Sequence, residues 1–528
     1  MAILKKIRDF YHTGEDKPLL TDSAETTRIY EKKRRSIFAA LVFGYSFYYV
    51  CRLSISVVKQ PMFDAGILTP EQMGKIGFAL FIVYAFGKCI NGFIADHSNI
   101  RKFLSTGLLL SALLNLAFGF TTSFVCFVLI WGLNGWFQSM GCAPCVVSMS
   151  QWFSNKERGT RYGLWSAAHS IGEGFSFICT AVLVSYFGWR WGFWGAGGIS
   201  IIAVILMYFM TADRPQTYGL PNIADYKDDQ SRETQEKPLP IKEAQFEVLK
   251  NPYVWILGLS SAFMYVARYG INGWGVPYLQ SAKDYSLISA AFILGWAKMI
   301  ETLGAISSGF VSDYLFKSRR NVVTLTYGLI EITGLVILFT APSTLLFTLD
   351  QSYNQYLQEG AISEELSAAF LENQIELPPN ISIESVSMKD TTTWVAHSDK
   401  WYQWLQNYCI EDDGTQLKIC SRYHPLHILG ISLYGFGLGG LLVFLGGLIA
   451  VDICSKRATG AAMGIVGMFS YIGAAVQDWI SGSLVGMTDV MVGNNHVYNY
   501  DYAFCFWLTS AALAVVLSST LWNVKART

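Results

Sequence analysis

Two arginines stand where an apolar sequence has reason to avoid charge. Tyr49-Val-Cys-Arg52 and Tyr265-Val-Ala-Arg268 each lie inside a long hydrophobic run. An arginine at the centre of a membrane helix costs about 2.5–3.5 kcal/mol on insertion scales, so each demands a reason. A guanidinium offers a planar fork of donors suited to bidentate capture of an oxyanion. A phosphate ester carries about −1.5 to −2 charges at neutral pH, which two such forks match. The chemistry implied is non-covalent recognition of one phosphate by Arg52 and Arg268. The structural alternatives are snorkelling of Arg52, or an ion pair with a buried acid for either residue.

The two arginines belong to an internal repeat. Gly92-Phe-Ile-Ala-Asp96 begins 40 residues after Arg52, and Gly309-Phe-Val-Ser-Asp313 begins 41 residues after Arg268. A basic cluster follows each motif, Arg101-Lys102 in the first half and Arg319-Arg320 in the second. Asp96 and Asp313 therefore sit at helix ends beside basic turns. There they can pair with Arg101 and Arg319 or with helix N-termini, as a latch that differs between conformations. A duplicated helical unit suits a membrane protein in which two bundles rock about a midplane site.

The elements that position these residues are membrane helices. Hydrophobic residues make up 52% of the 528 and charged residues only 15%, the wrong balance for a soluble enzyme of this size. The sequence has no zinc spacing, P-loop, catalytic triad or basic nucleic-acid surface, so no cofactor, metal, nucleic-acid partner or enzymatic activity is expected. Apolar stretches long enough to cross a bilayer recur near 35–57, 74–95, 103–122, 124–152, 161–187, 191–211, 252–280, 286–312, 321–341, 424–450, 458–484 and 500–523. The expected fold is an all-α membrane protein of twelve transmembrane helices in two pseudo-symmetric six-helix bundles.

Basic residues in the first 35 positions and in the even-numbered connections predict that both termini face the cytoplasm. The polar N-terminus carries no short apolar core of the cleaved kind, so the first span is expected to act as its own targeting signal. The predicted organisation is a cytoplasmic tail (1–34), an N-terminal bundle (35–211), a flexible cytoplasmic linker (212–250), a first C-terminal block (251–341), an outer-side insertion (342–423) and a second C-terminal block (424–528). The insertion is acidic. Helical amphipathic spacing in Glu364–Phe370 and Trp401–Leu405 predicts a small cap. Cys409 and Cys420 lie alone there in an oxidising compartment, where they either form a disulfide or stay free. Cys142-Ala-Pro-Cys145, inside an apolar span, reads as packing rather than metal or redox chemistry.

Gly92-Phe-Ile-Ala-Asp-His-Ser-Asn-Ile-Arg101 resembles the loop signature of the major facilitator superfamily. Tyr48-Tyr-Val-Cys-Arg52 resembles the first helix of its organophosphate:phosphate antiporter branch, and the resemblance spans nearly the whole chain outside the insertion. It implies Arg52 and Arg268 as the phosphate clamp. It implies that two uncompensated cations block closure of the empty cavity, so that each movement requires a substrate. In Ala167-Ala-His-Ser-Ile-Gly-Glu-Gly174, His169 resembles the family's buried histidine beside the phosphate, and Lys88 matches a cavity lysine. Tyr48, Tyr49, Tyr265, Asn272 and Trp274 are candidate partners for the organic moiety, with aromatic packing as the alternative. Three departures bear on substrate: Leu53 follows Arg52 where the family has Lys, Lys298 replaces a glutamate one turn before Glu301, and Met463 and Val466 stand where the hexose-phosphate carrier has a charged pair. Lys298 either pairs with Glu301 or enters the cavity as a third cation. Asp478 is a buried acid without a family counterpart.

The expected function is exchange of a phosphorylated metabolite of the hexose phosphate, glycerol phosphate or phosphoglycerate type for inorganic phosphate, by a monomer in a bacterial inner membrane. The alternative, favoured by Pro18-Leu-Leu-Thr-Asp22 and Tyr45 to Arg52, is a receptor that senses external hexose phosphate and signals to a membrane kinase. A proton-coupled carrier of neutral or cationic compounds is disfavoured by the positive cavity.

Overall fold

A computed structural model describes residues 6, 9–227, 246, 248–316, 320–350, 381–387, 392–398, 408–412, 416–421, 423–449, 459–492 and 495–522. The first half comprises α1 (Ser23–Asp64), α2 (Pro70–Asp96), α3 (Ile100–Phe120), α4 (Phe124–Gln138), α5 (Cys142–Trp152), α6 (Asn155–Phe187) and α7 (Trp189–Met210). The second comprises α8 (Pro252–Lys283), α9 (Leu287–Phe310), α10 (Arg320–Thr340), α11 (Pro425–Val443), α12 (Thr459–Gly486) and α13 (Asp501–Ser519). Eleven spans among the described residues are long and apolar enough to cross a membrane, with α4 and α5 forming one of them. Helix α12 occupies the remaining predicted span at 458–484.

Local chemistry sets where these helices start. Asp22 caps α1 by accepting from the Ala24 amide at 2.8 Å, and Thr69 with Gln72 forms a capping box on α2 ahead of Pro70. Helix α1 begins twelve residues before its predicted apolar start, because Ser23–Arg34 continues as a polar helix with one buried edge. Buried Arg34 anchors that extension: it donates to the Trp152 carbonyl at 3.1 Å and pairs with Glu31 and Glu157. The tail before it packs against the bundle through Asn99 N–H to the Tyr11 carbonyl at 2.6 Å and Lys17 N–H to the Gln216 carbonyl at 3.1 Å. The predicted linker is folded through Lys227, and residues 228–245 lie outside the described residues.

The packing partners repeat between halves. In the first half α1 packs on α6 and α7, α2 on α4, and α3 on α4 and α7. In the second, α8 packs on α12 and α13, α9 on α11, and α10 on α11 and α13. Helix α2 meets α12, and α6 meets α9, across the divide. The sequence repeat is thus a repeat of packing. Its innermost members are α1 and α8, whose central turns, Gly44–Lys59 and Val266–Leu279, are enclosed on every side.

The described part of the insertion is a sheet, which the sequence reading did not anticipate. Its described residues form an antiparallel five-stranded sheet of order β1-β5-β4-β3-β2, comprising β1 (Leu345–Asp350), β2 (Ile381–Ser387), β3 (Thr392–Ser398), β4 (Tyr408–Asp412) and β5 (Gln416–Ser421). The run Ile381-Ser-Ile-Glu384 alternates apolar and polar residues, the period of a strand. The two segments read as amphipathic helices, Glu364–Phe370 and Trp401–Leu405, lie outside the described residues. The backbone register sets Cys409 directly opposite Cys420 on neighbouring strands. A hairpin of β6 (Val490–Val492) and β7 (Asn495–Val497) joins α12 to α13. This face of the bundle is called the sheet end below, and the face bearing Arg34 the basic end.

Glycines let helices touch. A Cβ built at Gly439 on α11 would fall 2.0 Å from the Glu301 carbonyl oxygen and 2.9 Å from the Ala305 nitrogen, whereas one at Gly464 would meet nothing within 4 Å. Backbone cannot step aside as a side chain can. Gly439→Ala is therefore expected to lower stability by about 1–3 kcal/mol, and Gly464→Ala to leave it unchanged or raised, in thermal melting of the purified protein.

Candidate functional site

The candidate site lies where the central turns of α1 and α8 meet α2, α6, α9 and α12. Arg52 is 2% exposed. Its Nε donates to Gln138 Oε1 at 3.1 Å, and Gln138 Nε2 in turn donates to Ser111 Oγ at 2.7 Å. The guanidinium carbon stands 4.8 Å from the Tyr49 ring centroid and 4.5 Å from that of Tyr84. Nη1 is buried with no hydrogen-bond partner among the described residues. One edge of the fork is thus fixed by the protein and another is unused.

Arg268 is placed differently. Its Nη2 is 3.1 Å from Glu173 Oε1 and 3.3 Å from Glu301 Oε1. Lys298 Nζ lies 2.9 Å from Glu173 Oε2 and 2.6 Å from Glu301 Oε2. Two cations and two carboxylates form a closed, buried quartet of zero net charge. Glu173 arrives from α6 in the first half, and Arg268, Lys298 and Glu301 belong to the second. Asn272 Nδ2 donates to Glu173 Oε2 at 3.2 Å, and His169 Nε2 stands 3.5 Å from Glu301 Oε1. A mutual Coulomb term and several hydrogen bonds offset the desolvation that four buried charges incur.

This geometry modifies the expectation of two uncompensated cations. Arg268 is compensated by carboxylates, and Lys298 sits between both acids, the arrangement in which it pairs with Glu301. Of the cations at this site, Arg52 and Lys88 have no carboxylate partner among the described residues, the latter with Nζ 5.0 Å from the Tyr471 ring. Tyr49 and Tyr269 lie within electrostatic reach of both Arg52 and Arg268. The rings of Tyr84 and Tyr471, 4.4 Å apart, join α2 to α12 beside them, and Tyr265 packs against Tyr471 at 5.5 Å.

Other predicted residues fall elsewhere. Tyr48 hydroxyl donates to the Leu104 carbonyl at 2.7 Å, which occupies it within the first half. Trp274 donates to Asp478 Oδ1 at 2.6 Å. Arg101 donates to the Tyr208 carbonyl at 2.6 Å. The side chains of Asp96 and Asp313, and all of Arg319, lie outside the described residues. Sequence reasoning missed Glu173, although it stands one helical turn after His169 in the same quoted motif. It also missed Lys59, seven residues after Arg52 and hence on the same face of α1.

Lys59 closes the sheet end of the site. Its Nζ is 3.3 Å from Asp478 Oδ1 and 3.7 Å from the Trp274 ring centroid. Asp478 can approach because α2 carries glycine opposite it: a Cβ at Gly77 would fall 1.9 Å from Asp478 Oδ2. Gln60 Oε1 accepts from Ser281 Oγ at 3.2 Å, and Phe63 stacks near Trp274. A small cavity between this seal and Arg52 is lined by Ser56, Phe81, Tyr269 and Gly273. These polar links between the halves run from the midplane to the sheet end.

Removing one partner of a buried ion pair leaves an uncompensated charge and costs about 3–5 kcal/mol. Lys59→Met and Asp478→Leu are each expected to lose about that much. The double variant should be more stable than either single one, short of the native protein because the Trp274 N–H is left unpaired. Melting temperatures of the four purified proteins check this.

Residues 40–352 match the Major Facilitator Superfamily model. The chain is 30% identical to the membrane sensor protein UhpC of Escherichia coli K12, over 89% of this chain and 90% of that one. It is 26% identical to a probable hexose phosphate transport protein of Chlamydia trachomatis, over 96% and 94% respectively. It is 28% identical to the glycerol-3-phosphate transporter of Bacillus subtilis, over 96% of each. Among solved structures, a bacterial homologue of the human lysosomal transporter Spinster has the same fold, with a TM-score of 0.61 at 15% identity over 94% of this chain and 99% of that one.

Proposed function

The chain belongs to the Major Facilitator Superfamily, in its organophosphate:phosphate antiporter branch, and on that premise we propose that it exchanges a phosphorylated metabolite for inorganic phosphate by alternating access. The observation that carries the reading is the buried fork of Arg52, held by Gln138 and two tyrosine rings with Nη1 unpartnered. A buried donor without an acceptor is costly, and an oxyanion relieves that cost. Arg268 supplies the second fork. Glu173 and Glu301 hold it, so an incoming phosphate competes with carboxylates for Arg268 while taking Arg52 freely. Lys88 adds a further positive charge and His169 a ring nitrogen beside Glu301, and Tyr49, Tyr265 and Asn272 face the organic group. Relatives that carry hexose phosphate and glycerol 3-phosphate support the substrate class.

In this reading the structure is closed at the sheet end, where Lys59, Asp478 and Trp274 join the halves. The basic end is the cytoplasmic side of a bacterial inner membrane, with both termini there, and the carrier works as a monomer. Asp96 with Arg101, and Asp313 with Arg319, form the latches of that side. The chain divides as 35–211 and 251–528 about the linker, with 342–423 outside. The sheet contributes nothing to the clamp.

The similarity to a membrane sensor favours a second reading, in which the same clamp detects an external sugar phosphate and signals to a partner kinase. Proteoliposomes loaded with phosphate separate the two. A carrier takes up labelled phosphate in exchange, and a receptor does not. Arg52→Ala and Arg268→Ala should each reduce exchange at least a hundredfold, about 2.7 kcal/mol, with normal amounts of folded protein. Arg→Lys should also fail, because an ammonium cannot reproduce the fork. Half-native exchange in either alanine variant would refute the clamp.

A further inference from the structure

One buried carboxyl group takes no part in the site described above. Glu331 stands midway along α10, in the enclosed stripe that also holds Thr324, Tyr327 and Leu338. It is 0% exposed, and neither carboxyl oxygen accepts a hydrogen bond from any described residue. An ionised carboxylate so placed would meet its full desolvation penalty with no donor to offset it, whereas the neutral acid would not. The other enclosed acids within the membrane-spanning helices, Glu173, Glu301 and Asp478, are each held by a cation, and Asp213, beyond the end of α7, accepts from the Gly14 amide and Asn99.

The surroundings connect Glu331 to the quartet. Helix α11 lies between α9 and α10 and touches the backbone of each at a glutamate. A Cβ at Gly437 would fall 2.4 Å from the Glu331 nitrogen, and one at Gly439 2.0 Å from the Glu301 oxygen. Tyr434 of α11 has a buried hydroxyl without a partner among the described residues. Glu331, Glu301, Arg268 and Glu173 lie within its electrostatic reach. On its own helix Glu331 has Tyr327, whose hydroxyl is taken by Ser307 at 2.8 Å. From α13 the contact beside it is apolar, Val515 against Gly328. Among the described residues, the formal charge whose field reaches Glu331 is Glu301, which is of the same sign.

We propose that Glu331 is a proton-binding site coupled to the transport cycle, protonated while Glu173 bridges the two halves and ionised when Glu173 withdraws. This rests on the transport reading. With Glu173 in place, Arg268 and Lys298 are balanced by two carboxylates. When the halves part at the sheet end, Glu173 moves with α6, and the second half keeps two cations against Glu301 alone. The excess positive charge then favours the ionised acid, and the Tyr434 hydroxyl is free to donate to it. In the step itself the O–H bond of the Glu331 carboxyl breaks, the electron pair remains on the carboxylate, and the proton passes to water in the opened cavity. Linkage works in both directions, so acid favours the bridged conformation and alkali the parted one.

The test compares the native protein with Glu331→Gln, a permanent mimic of the neutral acid. Infrared spectra of the native protein in lipid at neutral pH should show the carbonyl band of a protonated carboxylic acid, and the Gln variant should lack it. Phosphate exchange by the two proteins should coincide in acidic buffer and diverge about tenfold or more in alkaline buffer. The ratio cancels the titration of phosphate itself. An unchanged band, or a constant ratio across pH, overturns the proposal. Should the Gln variant fail to reach the membrane, Glu331→Asp takes its place, and an acid band that stays unmoved overturns it equally. Absence of exchange by the native protein would refute the transport reading instead, and the infrared comparison alone would then decide whether Glu331 holds a proton.

Discussion

Four charges that water would otherwise hold are placed inside an apolar bundle, and much of the architecture follows from the need to balance them. Arg268 and Lys298 face Glu173 and Glu301 at 2.6–3.3 Å, with one of the acids contributed by the opposite half. In a low-dielectric interior such an arrangement holds only while its geometry is kept. The quartet is therefore a joint between the halves as well as a set of side chains beside a cavity. Glycine contacts of α11 against α9 bring the backbone of Glu301 to its position, and Asn272 donates to the same Glu173 oxygen that Lys298 holds.

The joint is repeated in a simpler form toward the sheet end, where Lys59, Asp478 and Trp274 make a second cross-half contact of opposite charges. Between the two lies the Arg52 fork. A membrane interior supplies no water to screen these pairs, so breaking them requires replacement partners rather than solvent alone. A dianionic ligand can replace Glu173 and Glu301 at Arg268. Nothing comparable is provided at Lys59, which gains partners only from water once the end opens. The two joints thus differ in kind, one exchangeable by an anion and one by hydration.

Much of this was legible in the sequence. Hydropathy located the spans, since each must bury about 20 residues in protein or hydrocarbon, and the spaced motifs exposed the repeat that the packing partners follow. Arg52, Arg268 and His169 were visible because a charged or titratable residue inside an apolar run is expensive. Glu173 and Lys59 carry the same signal and were passed over because acids and lysines are read by their own helix neighbours, whereas their partners lie 95 to 419 residues away. The sheet of the insertion was not legible from its two amphipathic segments, which lie outside the described residues, because its strands are other, short runs whose alternation is weak. Helix α1 began earlier than hydropathy allowed because a helix leaving the membrane needs a cap and one buried edge, not a hydrophobic face on all sides.

The inequality of the two arginines has a mechanistic consequence that a symmetric clamp would lack. Arg52 has no carboxylate among the described residues, so it favours any anion that reaches it, and it makes an empty closed cavity unfavourable by itself. Arg268 is already charge-balanced at Nη2, with its Nε buried and unpartnered among the described residues, so it adds most affinity to a ligand able to displace two carboxylates, which a doubly charged phosphate does better than a singly charged anion. Arg52 then governs whether an anion enters, and Arg268 governs which charge state is retained. Because displacing Glu173 also releases one half from the other, occupancy of the site and separation of the halves are coupled through the same pair of oxygen atoms.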